Sequence, residues 1–251
     1  MQRRQDILDL VIAKRHVEVT EISRLFGVSR VTVRADLEFL AKQHLIQRTR
    51  GGAVVSMQQS LALSFAVRAL LEREAKQRIS RAAGALVVPG ETIIVDAGST
   101  LAEFASCMSA TRDLTVVTPA LNIATHLGSL PGLELIIIGG RLDRDTISSV
   151  GPAAEHQFRD VLAHKVFLGG HSIDEQGDIA ERSLEIAALK RAMIRAAREV
   201  ILLADSTKWV TPAGKAKVAP ISSMNVVVTD ERISLGARRA MEEQGVKVII
   251  A

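Results

Sequence analysis

The chain has no tyrosine, one tryptophan and one cysteine in 251 residues. Without several exposed rings it lacks the stacking platforms that single-stranded nucleic acids need, which leaves duplex DNA as the better nucleic-acid partner. The single Cys107 excludes an internal disulfide, and its apolar helical neighbours predict a buried packing role instead of a reactive thiol. No apolar run approaches the ~20 residues of a membrane helix. The stretch MQRRQDILDLVIAKR mixes charges of both signs where an export signal would be uniformly apolar. A soluble, cytoplasmic protein with no membrane partner is expected. His16, His44, His126, His156, His164 and His171 show no paired metal-ligand spacing, so no metal is expected. No cofactor is expected either.

What is present points to two globular domains, with 47% hydrophobic and 24% charged residues over a length that can build two cores. The charge is unevenly placed. Residues 1–56 hold ten Lys/Arg against six Asp/Glu, whereas residues 57–251 hold 22 of each, so the whole positive excess lies at the N-terminal end.

That end contains Gly27 to Leu40, GVSRVTVRADLEFL. Ser29 is a good N-cap for a helix from Arg30 to about Gln43, and Val33, Leu37 and Leu40 form one apolar stripe at helical spacing. Val31, Arg34, Ala35 and Glu38 face the other way, giving a small, polar, cationic surface suited to a DNA groove. Upstream, Thr20 is predicted to cap a short helix, EISRLF, whose Ile22, Leu25 and Phe26 pack on the stripe, with Gly27 permitting the turn between. A first helix from Gln2 to about Arg15 should brace the pair through Ile7, Leu10, Val11 and Lys14. Helix spacing alone fits an ordinary amphipathic pair equally well. Residues 45–48, Thr49-Arg50-Gly51-Gly52 and Ala53-Val54-Val55 add a hairpin with a glycine turn, the wing of a winged helix. In a wing, Arg48 and Arg50 can reach phosphates or a minor groove; otherwise they are solvated turn charges. The candidate DNA contacts are therefore Ser29, Arg30, Val31, Thr32 and Arg34 with Arg48, Arg50, Gly51 and Gly52.

The run VSRVTVRADLEFLAKQHLIQRTRGGAV resembles the N-terminal signature of the DeoR family of bacterial transcriptional regulators, and the resemblance extends over the full chain. Relatives commonly carry Arg-Arg-Asp where this chain has Arg34-Ala35-Asp36, which removes one possible DNA contact.

A polar stretch after the wing becomes helical from about Phe65. This predicts a DNA-binding domain over 1–56, a linker and the start of a connecting helix over 57–75, and an α/β effector-sensing and oligomerisation domain over 76–251. From Thr92 onward an apolar strand, a glycine or polar turn and a helix recur, with strands read at 92–96, 114–118, 133–138, 165–169, 200–204, 226–229 and 246–250. Their continuous Val/Ile/Leu content implies a mostly parallel sheet buried on both faces, whose ligands bind beyond the C-terminal strand ends. There lie Asp96-Ala97-Gly98-Ser99-Thr100 before a helix, Thr118 and Asn122, Gly139-Gly140-Arg141, Gly169-Gly170-His171, and Asp205-Ser206-Thr207-Lys208. A glycine followed by hydroxyls at a helix N-terminus favours phosphate, although a capped helix start with an incidental Asp fits that one stretch as well. Polar groups on successive strand ends suggest one pocket.

These stretches resemble the sensor domain of the DeoR family, whose fold is related to ribose-phosphate isomerase, glucosamine-phosphate deaminase and CoA transferases. The resemblance implies a phosphorylated sugar as effector. Gly98, Ser99 and Thr100 would cradle phosphate, Asp96 and Asn122 would bind hydroxyls, and Lys208 would add a cation; Thr118, Gly139, Gly140, Arg141, Gly169, His171 and Asp205 complete the candidate set. Glu185 and Lys190 match a family helix motif, but also fit an intrahelical or domain-packing charge pair. Gly170-His171-Ser172 stands where relatives usually show a small residue, Asp and Gly, so the effector can differ. The expected function is a repressor of a carbohydrate-catabolic operon, binding double-stranded operator DNA as a homodimer or homotetramer and controlled by a phosphorylated sugar. The alternative is a sugar-phosphate isomerase or deaminase fused to a DNA-binding module. That chemistry needs a positioned carboxylate, and the equivalent strand end offers His171 and Ser172 with Asp174 further on, which disfavours catalysis.

Overall fold

The chain divides into two units, Met1–Leu71 and Glu72–Ala251. The computed structural model describes residues 2–14, 16–42, 46–54, 65–108, 113–212 and 214–251. Arg15, residues 43–45, Val55 and most of the expected linker, 57–64, lie outside them.

In the first unit α1 (Gln2–Lys14) leads through β1 (His16–Glu18) into α2 (Val19–Phe26) and α3 (Arg30–Lys42), followed by β2 (Gln47–Arg48), β3 (Gly52–Val54) and α4 (Phe65–Leu70). Its core is Ile7, Leu8, Val11, Ile22, Val33, Leu37 and Leu40 with Val17, Val19, Ile46 and Ala53. The α3 stripe thus buries as its spacing requires, whereas α1 turns Leu8 fully inward and leaves Leu10 half-buried. Two details differ from the sequence reading. α2 begins at Val19 with Glu18 at its N-cap position, because β1 delivers the chain there, and the Thr20 hydroxyl instead donates to Glu18 at 3.1 Å. Leu25 is 53% exposed, since Ile22 and Phe26 already fill the space over α3. Gly27 takes the left-handed conformation, φ 64°, that the α2–α3 turn needs.

The wing strands form an antiparallel sheet of order β1-β3-β2. β1 was not foreseen, because a three-residue strand of alternating polarity carries little periodic signal. Its proximity explains the second wing glycine: a Cβ on Gly52 would stand 2.0 Å from the Val17 carbonyl oxygen.

α3 also carries a buried acid. Asp36 is 1% exposed and accepts hydrogen bonds from Arg3 Nε and Arg4 Nε, each at 2.7 Å, while the Arg4 guanidinium lies 4.1 Å from the centre of the Phe39 ring. Burial by itself would raise the Asp36 carboxyl, but the two arginines outweigh it and hold the pKa below the ordinary carboxylate value. A depressed folded-state pKa adds stability above the unfolded pKa, near ~4, and loses it as pH falls through the folded one. Asp36→Asn is therefore expected to destabilise the first unit by about 1.5–3 kcal/mol at neutral pH, the range for a lost charge-assisted hydrogen bond. The loss relative to wild type should vanish in acid below both pKa values. Denaturant melts at the two pH values measure both; an equal deficit at each would reject the arginine clamp.

The second unit runs α5 (Arg73–Gly84), β4 (Thr92–Val95), α6 (Ser99–Cys107), β5 (Leu114–Thr118), α7 (Leu121–Leu127) and β6 (Leu133–Ile137). It continues with a hairpin, β7 (Arg141–Asp143) and β8 (Ser148–Val150), then α8 (Pro152–Gln157), β9 (Ala163–Leu168), β10 (Ser172–Ile173), β11 (Asp178–Glu181) and α9 (Leu184–Arg195). β12 (Ala197–Leu203), a 3-10 turn at Ser206–Trp209, β13 (Ala216–Pro220), β14 (Val226–Thr229), α10 (Leu235–Glu243) and β15 (Lys247–Ile250) complete it.

The seven expected strands form one sheet of order β15-β14-β12-β9-β4-β5-β6, every pairing parallel. Alternating side chains bury on opposite faces. Ile93, Val95, Phe167, Ile201 and Leu203 pack under α5, α6 and α7, with Phe104 stacked on Phe167 at 4.5 Å between ring centres. Ile94, Val166, Leu168, Val200 and Leu202 pack under α8 and α9. The strand order reverses between β4 and β9, so their C-terminal ends open at the topological switch point, where doubly wound sheets bind ligands.

The antiparallel β10-β11-β13 sheet and the β7-β8 hairpin were not expected from the sequence; their strands are short and hold small or polar residues. Cys107, expected inside, is exposed at the end of α6. Partial burial of its thiol and the nearby Glu103 carboxylate raise its pKa, which keeps it protonated and unreactive at neutral pH.

Candidate functional site

On the first unit the exposed N-terminal face of α3 presents Arg30, Val31 and Arg34, with Val31 74% exposed. Ser29 caps the helix: its hydroxyl oxygen accepts from the Thr32 amide at 3.1 Å and lies 2.8 Å from the Thr32 hydroxyl. Two of the candidate contacts are thereby engaged in holding the helix start. Wing residues Arg50 and Gly51 are exposed. Arg48, by contrast, turns back on α3, donating to Glu38 at 3.1 Å and to the Arg34 carbonyl at 3.4 Å. It braces the recognition helix, and Gly52 is committed to β1.

On the second unit the switch point is built around a buried lysine. Lys190 Nζ donates to Asp96 Oδ2 at 2.6 Å and the Gly169 carbonyl at 2.7 Å, and lies 3.0 Å from Glu181 Oε1. An ammonium has three donors, so it is saturated. Burial alone would lower its pKa, but Asp96 and Glu181 outweigh that and raise it above the ordinary lysine range. Asp96 Oδ2 also accepts from the Gly169 amide at 3.0 Å, leaving only its other oxygen for a ligand. A Cβ on Gly169 would meet the end of the Leu101 side chain at 3.0 Å, so a larger residue here would have to displace it. Lys190 is therefore the floor of the site. Its partner Glu181, on β11, was missed because nothing local in the sequence pairs it with a lysine nine residues on, in the middle of α9.

Above this floor, Gly98 (φ 133°) leads into the free amides of α6, with Ser99 half-buried and Thr100 buried. Thr118 is internal: its hydroxyl donates to the Val95 carbonyl at 2.7 Å and accepts from the Ala120 amide at 3.1 Å. Asn122 Oδ1, in the first turn of α7, is buried with no partner among the described residues. Asp205 caps the Ser206–Trp209 turn, accepting from the Thr207 amide at 3.1 Å and from the Thr207 hydroxyl. Its Oδ2 is also buried and unpartnered, in a residue 1% exposed. Lys208 is half-buried on the same turn; its amide donates to the Asp205 carbonyl at 3.0 Å, and its side chain has no hydrogen bond or ion pair with any described residue.

The remaining candidates have partners of their own. Gly139 exchanges hydrogen bonds with the Gln157 side chain at the end of α8, and a Cβ on Gly140 would come within 2.9 Å of the Val150 carbonyl oxygen on β8, so each is packed closely by its neighbours. Arg141 pairs with Glu185. That pairing overturns an intrahelical Glu185–Lys190 bridge. The His171 amide donates to the Ala180 carbonyl at 3.2 Å, fixing its backbone on the β10-β11 edge.

The sequence reading also missed Asp230, which follows β14 and is fully buried. Its carboxylate accepts from the Ser206 amide at 2.6 Å, the Ser206 hydroxyl at 3.1 Å and Arg232 Nε at 2.7 Å. Burial would raise its pKa, but these bonds outweigh it and lower it, so the carboxylate stays ionised.

Comparison with known proteins gives two family matches. Residues 3–59 match the DeoR-like helix-turn-helix domain and residues 71–231 the DeoR C terminal sensor domain. The HTH-type transcriptional repressor GlcR of Bacillus subtilis strain 168 is 30% identical over 244 residues, 97% of this chain and 93% of the relative. The glycerol-3-phosphate regulon repressor of Escherichia coli K12 is 31% identical over 229 residues, 91% of this chain and 90% of the relative. Among solved structures, ribose 5-phosphate isomerase A from Methanocaldococcus jannaschii is similar over 55% of each chain at 15% identity, with a TM-score of 0.41.

Proposed function

We propose that this chain, which belongs to the DeoR family of DNA-binding transcriptional regulators, represses a carbohydrate-catabolic operon from the cytoplasm. Its operator affinity changes when a phosphorylated sugar occupies the C-terminal edge of the sensor sheet. The observation that carries the effector site is the pair of orphaned acceptors, Asp205 Oδ2 and Asn122 Oδ1, on an edge that also holds the uncommitted Lys208. A buried acceptor without a donor costs about 1–3 kcal/mol, and sugar hydroxyls supply donors. Lys208 and the α6 amides supply positive charge for a phosphate. In this arrangement Lys208, Ser99 and Thr100 take the anion, and Asp205, Asn122 and the second Asp96 oxygen take hydroxyls.

A thermal-shift screen against phosphorylated sugars and their parent sugars tests the reading. A ligand at 100 times its Kd adds about 2.7 kcal/mol of stability, which is readily seen. Stabilisation by phosphosugars alone supports the site, and no response to any of them contradicts it.

At the DNA, Arg50→Ala is expected to weaken binding to specific and random duplexes alike and to reduce the salt slope by roughly 0.9, the loss of one phosphate contact. Arg48→Ala should leave the slope unchanged and weaken specific binding more, because its guanidinium supports α3. Anisotropy titrations across salt measure both; an unchanged slope for Arg50→Ala would remove the wing tip from the interface.

One short recognition helix covers little duplex, so a homodimer or homotetramer reading paired half-sites is the form proposed to bind the operator. Light scattering should show at least a dimer at micromolar concentration, and a monomer both with and without DNA would oppose it.

A further inference from the structure

The effector-site turn at Ser206–Trp209 is held from behind by a chain of charged contacts that ends where the sensor unit begins. Asp230 grips the turn through both the amide and the hydroxyl of Ser206, and Arg232 Nε closes on the same carboxylate. The Arg232 guanidinium then reaches Glu72 with its other edge, Nη2 to Oε2 at 2.5 Å. A planar guanidinium can serve two carboxylates on two edges at once, whereas an ammonium on a flexible stem has no such fork.

Glu72 is the first residue of the sensor unit and stands just before α5, at its N-cap position. Its φ is 54°, a left-handed conformation in a residue with a Cβ. Such backbone costs on the order of 1 kcal/mol or more and persists where its surroundings impose it. The only ion pair of the Glu72 side chain recorded among the described residues is the one with Arg232. Releasing it leaves the backbone free to relax toward a right-handed or extended φ, which redirects the chain on the side of Leu71. Coupling between sites needs an element with two discrete arrangements, and a strained φ held by one ion pair is a place where a second arrangement could be reached. Ser206, Trp209, Arg232, Ile233 and Met241 line a half-open cleft of about 410 Å³ beside the turn.

We infer that Asp230 and Arg232 are positioning residues of the anion-binding turn, and that the Arg232–Glu72 ion pair transmits the position of that turn to the start of the sensor unit. This rests on the proposed effector site for its direction of use: a ligand held by Asp205 and Lys208 shifts the turn, the grip on Ser206 changes, and Arg232 tightens or releases Glu72. A half-exposed ion pair contributes little to stability, so its replacement should act on coupling more than on folding.

The test has a ligand-free arm and a ligand arm, both on the full chain. In the first, hydrogen exchange is followed on peptides spanning 204–210 for wild type, Glu72→Gln and Arg232→Lys, with melting temperature as a control. Exchange at the Ser206–Trp209 turn is expected to rise at least threefold in both variants although neither side chain belongs to the turn. In the second, the ratio of operator affinities with and without a phosphosugar found in the screen is expected to fall at least threefold in both variants. Glu72→Gln should keep its effector-free operator affinity within about twofold. Asp230→Asn, which can still accept from the Ser206 amide but loses the charge that holds Arg232, should lower phosphosugar affinity, a readout that the Glu72 variant should leave unmoved. Wild-type exchange at the turn in both Glu72→Gln and Arg232→Lys overturns the relay. An unchanged affinity ratio in both does the same. Should wild type bind no phosphosugar, the effector reading fails, and the exchange arm still decides the relay.

Discussion

Lys208→Ala is expected to lower phosphosugar affinity by one to two orders of magnitude while leaving effector-free DNA binding intact. A charge-assisted hydrogen bond to a phosphate is worth roughly 1.5–3 kcal/mol, and each 1.4 kcal/mol is a factor of ten in Kd. The structure sharpens this expectation, because Lys208 has no ion pair with a described residue, so its removal strands no protein carboxylate. The effect should therefore appear in binding and not in folding. The unphosphorylated parent sugar should bind wild type and Lys208→Ala equally weakly, since the residue acts on the phosphate. Calorimetry with both ligands measures this; normal phosphosugar affinity in Lys208→Ala, or equal affinity of wild type for the two ligands, would place the anion elsewhere.

Lys190 behaves oppositely. Lys190→Ala leaves Asp96 and Glu181 buried together without their cation, and breaking a buried ion pair from one side typically costs about 3–5 kcal/mol. For a chain of this size the melting temperature should fall by roughly 6–20 °C. Asp96→Asn and Glu181→Gln introduced with Lys190→Met should recover much of the loss, because both uncompensated charges go with the lysine. The pH dependence follows from the sign of the shift. A cation whose pKa is raised on folding contributes stability that is complete below its unfolded value, near ~10.4, and is lost as pH rises through the folded value. Wild type should thus lose stability in strong alkali relative to the triple variant. A melting temperature for Lys190→Ala within about 2 °C of wild type would show that the buried cluster does not hold the switch point together.

The contrast between these two lysines shows what the sequence could and could not convey. Both were candidate effector contacts, one on a strand-end turn and one in a helix motif. Separating them requires knowing that Glu181, on a four-residue strand of the small sheet, folds back to 3.0 Å from Lys190. Such a pairing across elements leaves no local periodicity. Asp36 is similar: its partners lie 33 and 32 residues earlier, on α1, so nothing local in the sequence marked the acid as buried and clamped.

The main sheet was legible for the opposite reason. Runs such as Thr92–Val95 and Val226–Thr229 are buried on both faces, so their β-branched composition states strand and parallel sheet together. Short hairpins state neither. The α3 stripe of Val33, Leu37 and Leu40 was legible because a helix with one buried face repeats its signal over several turns, whereas Leu25 sits where that repetition is too short to decide. Arg48 and Arg50 looked equivalent from the charge pattern. Only the fold shows that one faces Glu38 and the other solvent.

The most direct test of the account is the affinity of the full-length protein for an operator selected from random duplex DNA, titrated by fluorescence anisotropy in three conditions: without ligand, with each phosphorylated sugar that stabilises the protein, and with the corresponding parent sugar. At least one phosphosugar is expected to change operator affinity by fivefold or more, the usual lower range of allosteric coupling, and its parent sugar to change it little. The same operator affinity in all three conditions would contradict the account.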